Sequence, residues 1–158
     1  MASERIESLV ARLEKGNLKT REVFEALTPE QWSIAVYETP TRWDFRSLLA
    51  HFVSVEENLL ALAKHVASEG EDLPADFDYD VFNAEEQIRL QERSPEELLD
   101  SLSKAREETL TWVRTLEEGK LDLVGRHPAL GDVSLETMIT AIYGHQLLHM
   151  KEARGRVG

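Results

Sequence analysis

Leu135-Glu-Thr-Met-Ile-Thr-Ala-Ile-Tyr-Gly-His-Gln-Leu-Leu-His-Met-Lys-Glu-Ala153 decides how this chain folds. Its apolar residues recur with a helical period, and at about 100° per residue the core stripe runs from Met138 through Ile142. His145 and His149 fall about 20° to either side of Met138 on that stripe. Two imidazoles therefore hold places where a bundle helix ordinarily carries Leu, and their i, i+4 spacing stacks them one turn apart on the same side. A lone histidine in such a place reads as a core residue satisfied by hydrogen bonds. A pair is harder to satisfy, because charged imidazoles repel and neutral ones strand polar nitrogens unless something binds both. One shared ion is the alternative, and the rest of the chain has to decide.

Upstream, three more long amphipathic segments accompany this one. The first runs from about Ser3 to Leu27 with Ile6, Val10, Leu13, Asn17, Thr20, Phe24 and Leu27 in a 4-3-4-3 seam. Asn17 and Thr20 interrupt it, either as a tolerated polar pair or as the polar wall of an internal cavity. Thr28-Pro-Glu-Gln31 reads as a capping box opening a short helical turn through Val36, followed by a loop at Glu38–Thr41. Asp44 is placed to cap the second long helix, Phe45 to Ser68, with Leu48, Phe52, Val55, Leu59, Leu62 and Val66 as its seam. Residues 69–80 read as an acidic linker anchored by Phe77, Tyr79 and Phe82, and 80–90 as a short helix. Ser94-Pro95-Glu96-Glu97 is a strong start signal for the third long helix, which ends near Leu116 and carries Leu98, Leu102, Ala105, Thr109, Trp112 and Leu116. Gly119–Asp132 reads as a loop, and Ser134 caps the last helix. The expected fold is all-α: a single domain over residues 1–158, a four-helix bundle with a long crossover between the second and third long helices.

The totals agree and exclude several functions. A chain of 158 residues, 42% hydrophobic, is long enough to bury a real core. A net charge of −12 argues against nucleic acid and anionic membrane surfaces as partners, since both call for a basic patch. With no cysteine, disulfides, thiolate ligands and a cysteine nucleophile are all excluded. No apolar run approaches the roughly 18 residues of a membrane span, and no signal-peptide core follows Met1, so a cytoplasmic protein is expected.

Of the five histidines, helical phase turns His51, His145 and His149 inward. His51 lies about 60° from the centre of its seam, inside a stripe more than about 100° wide, whereas His65 lies about 100° off and is expected in solvent. His127 falls in the Gly119–Asp132 stretch and is expected to be exposed. Glu56 and Glu57, about 80° and 180° off, do not share the His51 face and are not expected as co-ligands. Three neutral imidazoles suit a divalent transition metal, zinc or nickel first, with iron or manganese behind them. Three protein ligands leave a coordination position open, the usual condition for catalysis. Gln146 stands where a zinc protease would carry its general-base Glu, so protease chemistry is not expected.

Three stretches together resemble the DinB/YfiT-like superfamily of metal-dependent proteins: Trp43-Asp-Phe-Arg-Ser-Leu-Leu-Ala-His51, Phe82-Asn-Ala84, and Leu130-Gly-Asp-Val-Ser-Leu-Glu-Thr-Met-Ile139 continuing to Ile142-Tyr-Gly-His145-Gln-Leu-Leu-His149. The resemblance spans nearly the whole chain. It implies a four-helix bundle, a metal site at His51, His145 and His149, and a homodimer. It also implies a low-molecular-weight thiol such as mycothiol or bacillithiol as cosubstrate in transfer to a small electrophile; the alternative is a non-catalytic, metal-anchored binding protein. Under the thiol reading, Asn83 and Arg106 are the candidates to line the substrate pocket; the bland alternative for Arg106 is a solvated helix-face charge. Leu49 and Val113, off the main seams, are read as outward apolar residues that could serve the dimer.

Overall fold

The computed structural model describes residues 3–70 and 73–157. Four long helices carry the fold: α1 (Glu4–Glu25), α2 (Phe45–Ala67), α4 (Pro95–Thr115) and α5 (Leu135–Val157), with the short α3 (Tyr79–Arg89) between α2 and α4. Local chemistry sets their starts. Asp44 Oδ1 accepts from the Ser47 backbone N–H at 2.8 Å, Ser94 Oγ from Glu97 at 3.1 Å and Ser134 Oγ from Thr137 at 3.1 Å, each relieving an otherwise unpaired first-turn donor.

The helices form a square in which α1 and α2 each pack against α4 and α5, leaving α1 diagonal to α2 and α4 diagonal to α5. Arg5 on α1 bonds Glu136 and Thr20 bonds Gln146, so α1 runs parallel to α5. Leu48 and Leu49 share a cluster with Leu98 and Leu102 at one end, and Ala63 and Val66 share one with Leu110 and Val113 at the other, so α2 runs parallel to α4. Parallel neighbours force the chain to return the length of a 23-residue helix, about 35 Å, before α4 can begin. Helix α3 makes that return against the outside of α2, held where Ser54 donates to Glu86 at 2.7 Å and Gln87 to the Ser47 carbonyl at 2.8 Å.

Two apolar clusters occupy the two ends of the bundle. Between them lies a buried polar layer. Glu56, fully buried, accepts from Arg106 Nη2 at 2.6 Å, from Thr109 Oγ1 at 2.7 Å and from Gln146 Nε2 at 3.1 Å. Thr20 on α1 donates to Gln146 at 3.3 Å, so of the two polar residues in the first seam this one serves a buried network.

Several expectations are corrected. The buried faces are wider than one seam: Leu9 and Gly16 are buried on α1, and Leu49, Val53, Leu60 and Ala63 on α2, while Val10, Val55 and Leu62 are only half-buried. Each bundle helix faces two neighbours, so two adjacent rows are covered. Leu49 and Val113 are fully buried for that reason and are not outward-facing. Tyr79 is exposed, and only Phe77 and Phe82 anchor the crossover, with ring centroids 5.5 Å apart.

Two short antiparallel hairpins also appear where loop or helical turn was expected. The capping box exists, with Thr28 and Gln31 bonded reciprocally, but it opens only a 3-10 turn at Gln31–Ser33. Strands β1 (Ala35–Tyr37) and β2 (Trp43–Asp44) follow and run directly into α2. Strands β3 (Val124–His127) and β4 (Gly131–Ser134) pair with His127 opposite Gly131 and run directly into α5. Gly131 has φ +77°, the left-handed conformation that closes this turn at least cost. A Cβ at Gly125 would collide with the Val66 side chain, so glycine lets the second hairpin lie flat on the end of α2. No helix among the described residues is long and apolar enough to cross a membrane.

Candidate metal centre and adjoining cavity

His51 stands two turns into α2, and His145 and His149 lie one turn apart on the antiparallel α5. Although 94 residues apart in sequence, His51 and His145 bring their Nε2 atoms to 2.9 Å, and His149 Nε2 lies 3.1 Å from His145 Nε2. One ligand atom from each of the three lies within 4.8 Å of the others. Burial first, and the neighbouring imidazoles second, push His51 down to about 3 and His145 down to about 2. Burial also lowers His149, against an opposing pull from Glu152.

Three neutral imidazoles have been driven together with like atoms facing. A neutral ring nitrogen either donates one proton or accepts with one in-plane lone pair, so a single proton on His145 Nε2 satisfies one of its two contacts and not both. A cation satisfies all three. At zinc–nitrogen bonds of about 2.0–2.1 Å, nitrogen–nitrogen edges are about 2.9 Å for a facial octahedral set and about 3.3–3.4 Å for a tetrahedral one. Two of the three edges, at 2.9 and 3.1 Å, fall at and between those values, and the third lies within 4.8 Å. The donor set therefore fits a divalent transition metal with open positions.

The first hairpin completes the surroundings. Tyr37 Oη lies 2.7 Å from His149 Nδ1, which fixes that ring with Nε2 free to bind an ion. The Trp43 ring lies 4.7 Å from the His51 ring, and Phe52 lies behind His145 and His149 at 6.0 and 5.8 Å. Tyr37 escaped the sequence reading, and Trp43 entered it only as the start of the stretch ending at His51, with no role at the site. The apolar run Ile34-Ala-Val-Tyr37, followed by Thr39-Pro-Thr41, was the available hairpin signal.

A cavity of about 550 Å³ opens beside His51 and His145. Its walls are mostly apolar, drawn from α2 (Leu59, Leu62), the crossover (Phe77, Phe82), the turn of the second hairpin and α5 (Leu148). Asn83 stands on its wall. Arg106 does not line it. This side chain is 1% exposed; Nε and Nη2 are bound to Glu56 and Nη1 donates to the Leu13 carbonyl at 2.7 Å. It is neither a pocket clamp nor a solvated charge, because a carboxylate on the facing helix holds it inside the bundle. Glu56, about 80° from the seam, was the missed partner. Gln146 is turned from the histidines into the same polar layer.

His65 is exposed, as expected. His127 is not: it is 9% exposed and lines the cavity, because its stretch is a hairpin pressed on α2 rather than a free loop. Burial lowers its pKa. It is not one of the three clustered histidines. A second depression of about 600 Å³, between α2 and α4 and lined by Glu57, Lys64, Lys104 and Glu108 among others, holds none of the histidines.

No protein of curated function matches the sequence. Solved structures do resemble the fold. YfiT from Bacillus subtilis, described as a probable metal-dependent hydrolase with an unusual four-helix bundle topology, superposes with a TM-score of 0.78 at 16% identity, covering 98% of this chain and 87% of its own. The colibactin self-resistance protein ClbS, solved in complex with a double-stranded DNA, gives a TM-score of 0.73 at 15% identity over 96% of this chain and 92% of its own. An uncharacterised protein from Clostridium difficile 630 gives 0.73 at 12% identity over 98% and 96%. These identities speak for the fold alone. The sequence itself matches the DinB superfamily over residues 12–153, a span that takes in His51, His145 and His149, and the chain belongs to that superfamily.

Proposed function

We propose that this protein is a metal-dependent enzyme in which His51, His145 and His149 hold a divalent ion that presents a small nucleophile to an apolar electrophile seated in the adjoining cavity. The observation that carries the reading is the convergence of three imidazole nitrogens, with two of the rings, His51 and His145, on the wall of that cavity. When bound, the ion supplies Lewis acidity, lowering the pKa of a thiol or water at its open position so that the nucleophile is available near neutral pH. Tyr37 and Trp43 hold the ligand rings, and the apolar walls exclude water from the reacting groups.

A low-molecular-weight thiol is the nucleophile we favour. The cavity lining carries no carboxylate among the described residues, and a thiolate needs no general base once formed, whereas hydrolysis must still move a proton to its leaving group. The chain has no cysteine of its own to compete. Zinc or nickel is the ion we favour, and the cytoplasm, where such thiols stay reduced, is the proposed setting. A homodimer is proposed on the family resemblance alone, now that Leu49 and Val113 are in the core; light scattering at micromolar concentration tests it, and a monomer would remove it.

The metal is tested by elemental analysis of protein purified without a metal-affinity tag, with His149→Ala as control. One ion per chain, lost in the variant, is expected. Turnover of an electrophilic aryl halide should then require an added thiol; turnover of esters without thiol would favour the activity ascribed to YfiT. Metal without turnover of either kind would favour a binding protein. The DNA in the ClbS complex stands against excluding nucleic acid on charge alone. The net charge of −12 leads us to expect no DNA retardation at physiological salt.

A further inference from the structure

Two buried side-chain nitrogens among the described residues have no hydrogen-bond partner: His127 Nε2 and His145 Nδ1. Both rings line the same cavity. Their tautomers follow from what the other nitrogen of each ring does. His127 Nδ1 accepts from the backbone N–H groups of Ala129 and Leu130 at 3.1 and 3.2 Å, so Nδ1 carries no proton and Nε2 does. The ring is thus pinned by the turn of the second hairpin at one end and offers a fixed N–H at the other. His145, with Nε2 turned to the cluster, carries its proton on Nδ1 whenever Nε2 binds a cation. A buried donor without an acceptor is costly, and two of them at one mostly apolar cavity call for an oxygen that the protein does not itself supply.

We propose that His127 is a substrate-binding residue, its Nε2–H donating to the carbonyl oxygen of an apolar, aromatic-bodied molecule held in the cavity. This rests on the reading of the cavity as the substrate site and does not require the metal. The volume of about 550 Å³ leaves ample room for a bicyclic aromatic body, and the apolar walls bind it without directional contacts. Orientation then falls to the few polar groups, of which His127 is held by two backbone N–H groups and still has a free donor. Because His51 and His145 line the same cavity, a molecule bonded to His127 shares it with the site where the reacting nucleophile would be held.

The test uses two probes of nearly one shape, 2-acetylnaphthalene and 2-ethylnaphthalene, whose affinities are measured by equilibrium dialysis on wild-type protein and on His127→Asn. Asparagine keeps an acceptor where Nδ1 stood, so the turn stays bonded, but it removes the Nε2–H. The ratio of ketone to hydrocarbon affinity should fall at least about fivefold in the variant, the size of one net hydrogen bond, while the hydrocarbon affinity stays within about twofold. An unchanged ratio overturns the proposal, since an ordered water would then be satisfying the donor. An equal fall for both probes overturns it too, because His127 would then only shape the cavity. Absence of binding by either probe to the wild-type protein overturns it as well. Metal content measured on the same samples keeps the two readings apart. The ratio decides for His127 in chelated protein as it does in loaded protein, whereas a chain that never takes up an ion removes the metal centre alone.

Discussion

Replacing Arg106 with Met should destabilise the bundle more than any surface change. Arg106 is 1% exposed and Glu56 fully buried. The pair is bound through Nε to both carboxylate oxygens at 3.1 Å and through Nη2 at 2.6 Å, while Nη1 holds the Leu13 carbonyl of α1 at 2.7 Å. Methionine fills most of the volume but leaves the Glu56 carboxylate in the core with only Thr109 and Gln146 as donors. It also removes the second donor to the Leu13 carbonyl, which keeps only its bond within α1. Removing one partner of a buried ion pair costs about 3–5 kcal/mol, against about 0–1 kcal/mol for exposed pairs such as Arg114–Glu14. At about 2–4 °C per kcal/mol for a chain of this size, the melting temperature should fall by roughly 6–20 °C.

The assay is urea unfolding followed by the far-ultraviolet helical signal on chelated protein, so that metal binding does not enter the difference. The double variant Glu56→Leu/Arg106→Met is the informative partner. With both charges gone and apolar volume restored, it should recover most of the loss, because the penalty comes from an uncompensated charge and not from a missing attraction. A loss below about 1 kcal/mol for Arg106→Met would refute the reasoning, as would a double variant no more stable than the single. Either result would mean that water reaches Glu56 or that the layer rearranges.

In metal-free protein, His51 at about 3 and His145 at about 2 titrate far below the unfolded value of about 6.5, so the unfolded chain binds more protons and stability should fall continuously as pH drops from about 6.5 toward 3. The urea midpoint read at successive pH values checks this, and a midpoint whose acid slope is the same in His51→Leu/His145→Leu would count against it. At pH 7, chelation should lower the melting temperature of loaded protein without abolishing the helical signal, since the two apolar clusters are built from residues other than the histidines. Tyr37→Phe should weaken metal affinity about tenfold by freeing the His149 ring, read by competition with a chromophoric chelator. His65→Gln should leave metal stoichiometry unchanged, and loss of the ion would mean that the exposed face of α2 takes part.

What could be read from the sequence was what is local or periodic. The Ser94-Pro-Glu-Glu97 start and the Asp44 and Ser134 caps depend on groups three residues apart, and all are in place. The phases of His51, His145 and His149 were legible because a helix of more than 20 residues averages out small errors. The hairpins were not, since strands of two to four residues give too few periods to distinguish from loop. Arg106 could not be read because its burial depends on Glu56, 50 residues away and off the seam of its own helix. His127 could not be read because its burial comes from the hairpin lying on Val66, a contact made possible by the absent side chain of Gly125.

The two hairpins give the site its plan. Each lies immediately before a helix that carries clustered histidines: β2 ends at Asp44 and α2 begins at Phe45, while β4 ends at Ser134 and α5 begins at Leu135. A strand that runs into a helix without a linker fixes the hairpin against the first turns, and the Leu135 N–H to Leu123 carbonyl bond at 2.7 Å ties the second one further. Because α2 and α5 are antiparallel neighbours in the square, the hairpins sit toward opposite ends of the pair. The first reaches the histidines directly, with Tyr37 on His149 and Trp43 on His51. The second meets the far end of α2 and brings His127 to the cavity wall. The long crossover, which exists because α2 and α4 run parallel, supplies Phe77 and Phe82 as the remaining wall. The same topology that separates α1 from α2 across the diagonal thus leaves α2 and α5 adjacent, with one face open to a cavity and a backbone-bonded hairpin at each end of the pair. Ligands on helices, held by neighbours on short hairpins, have little freedom to spread apart when no ion holds them, so the three imidazoles stay poised for one.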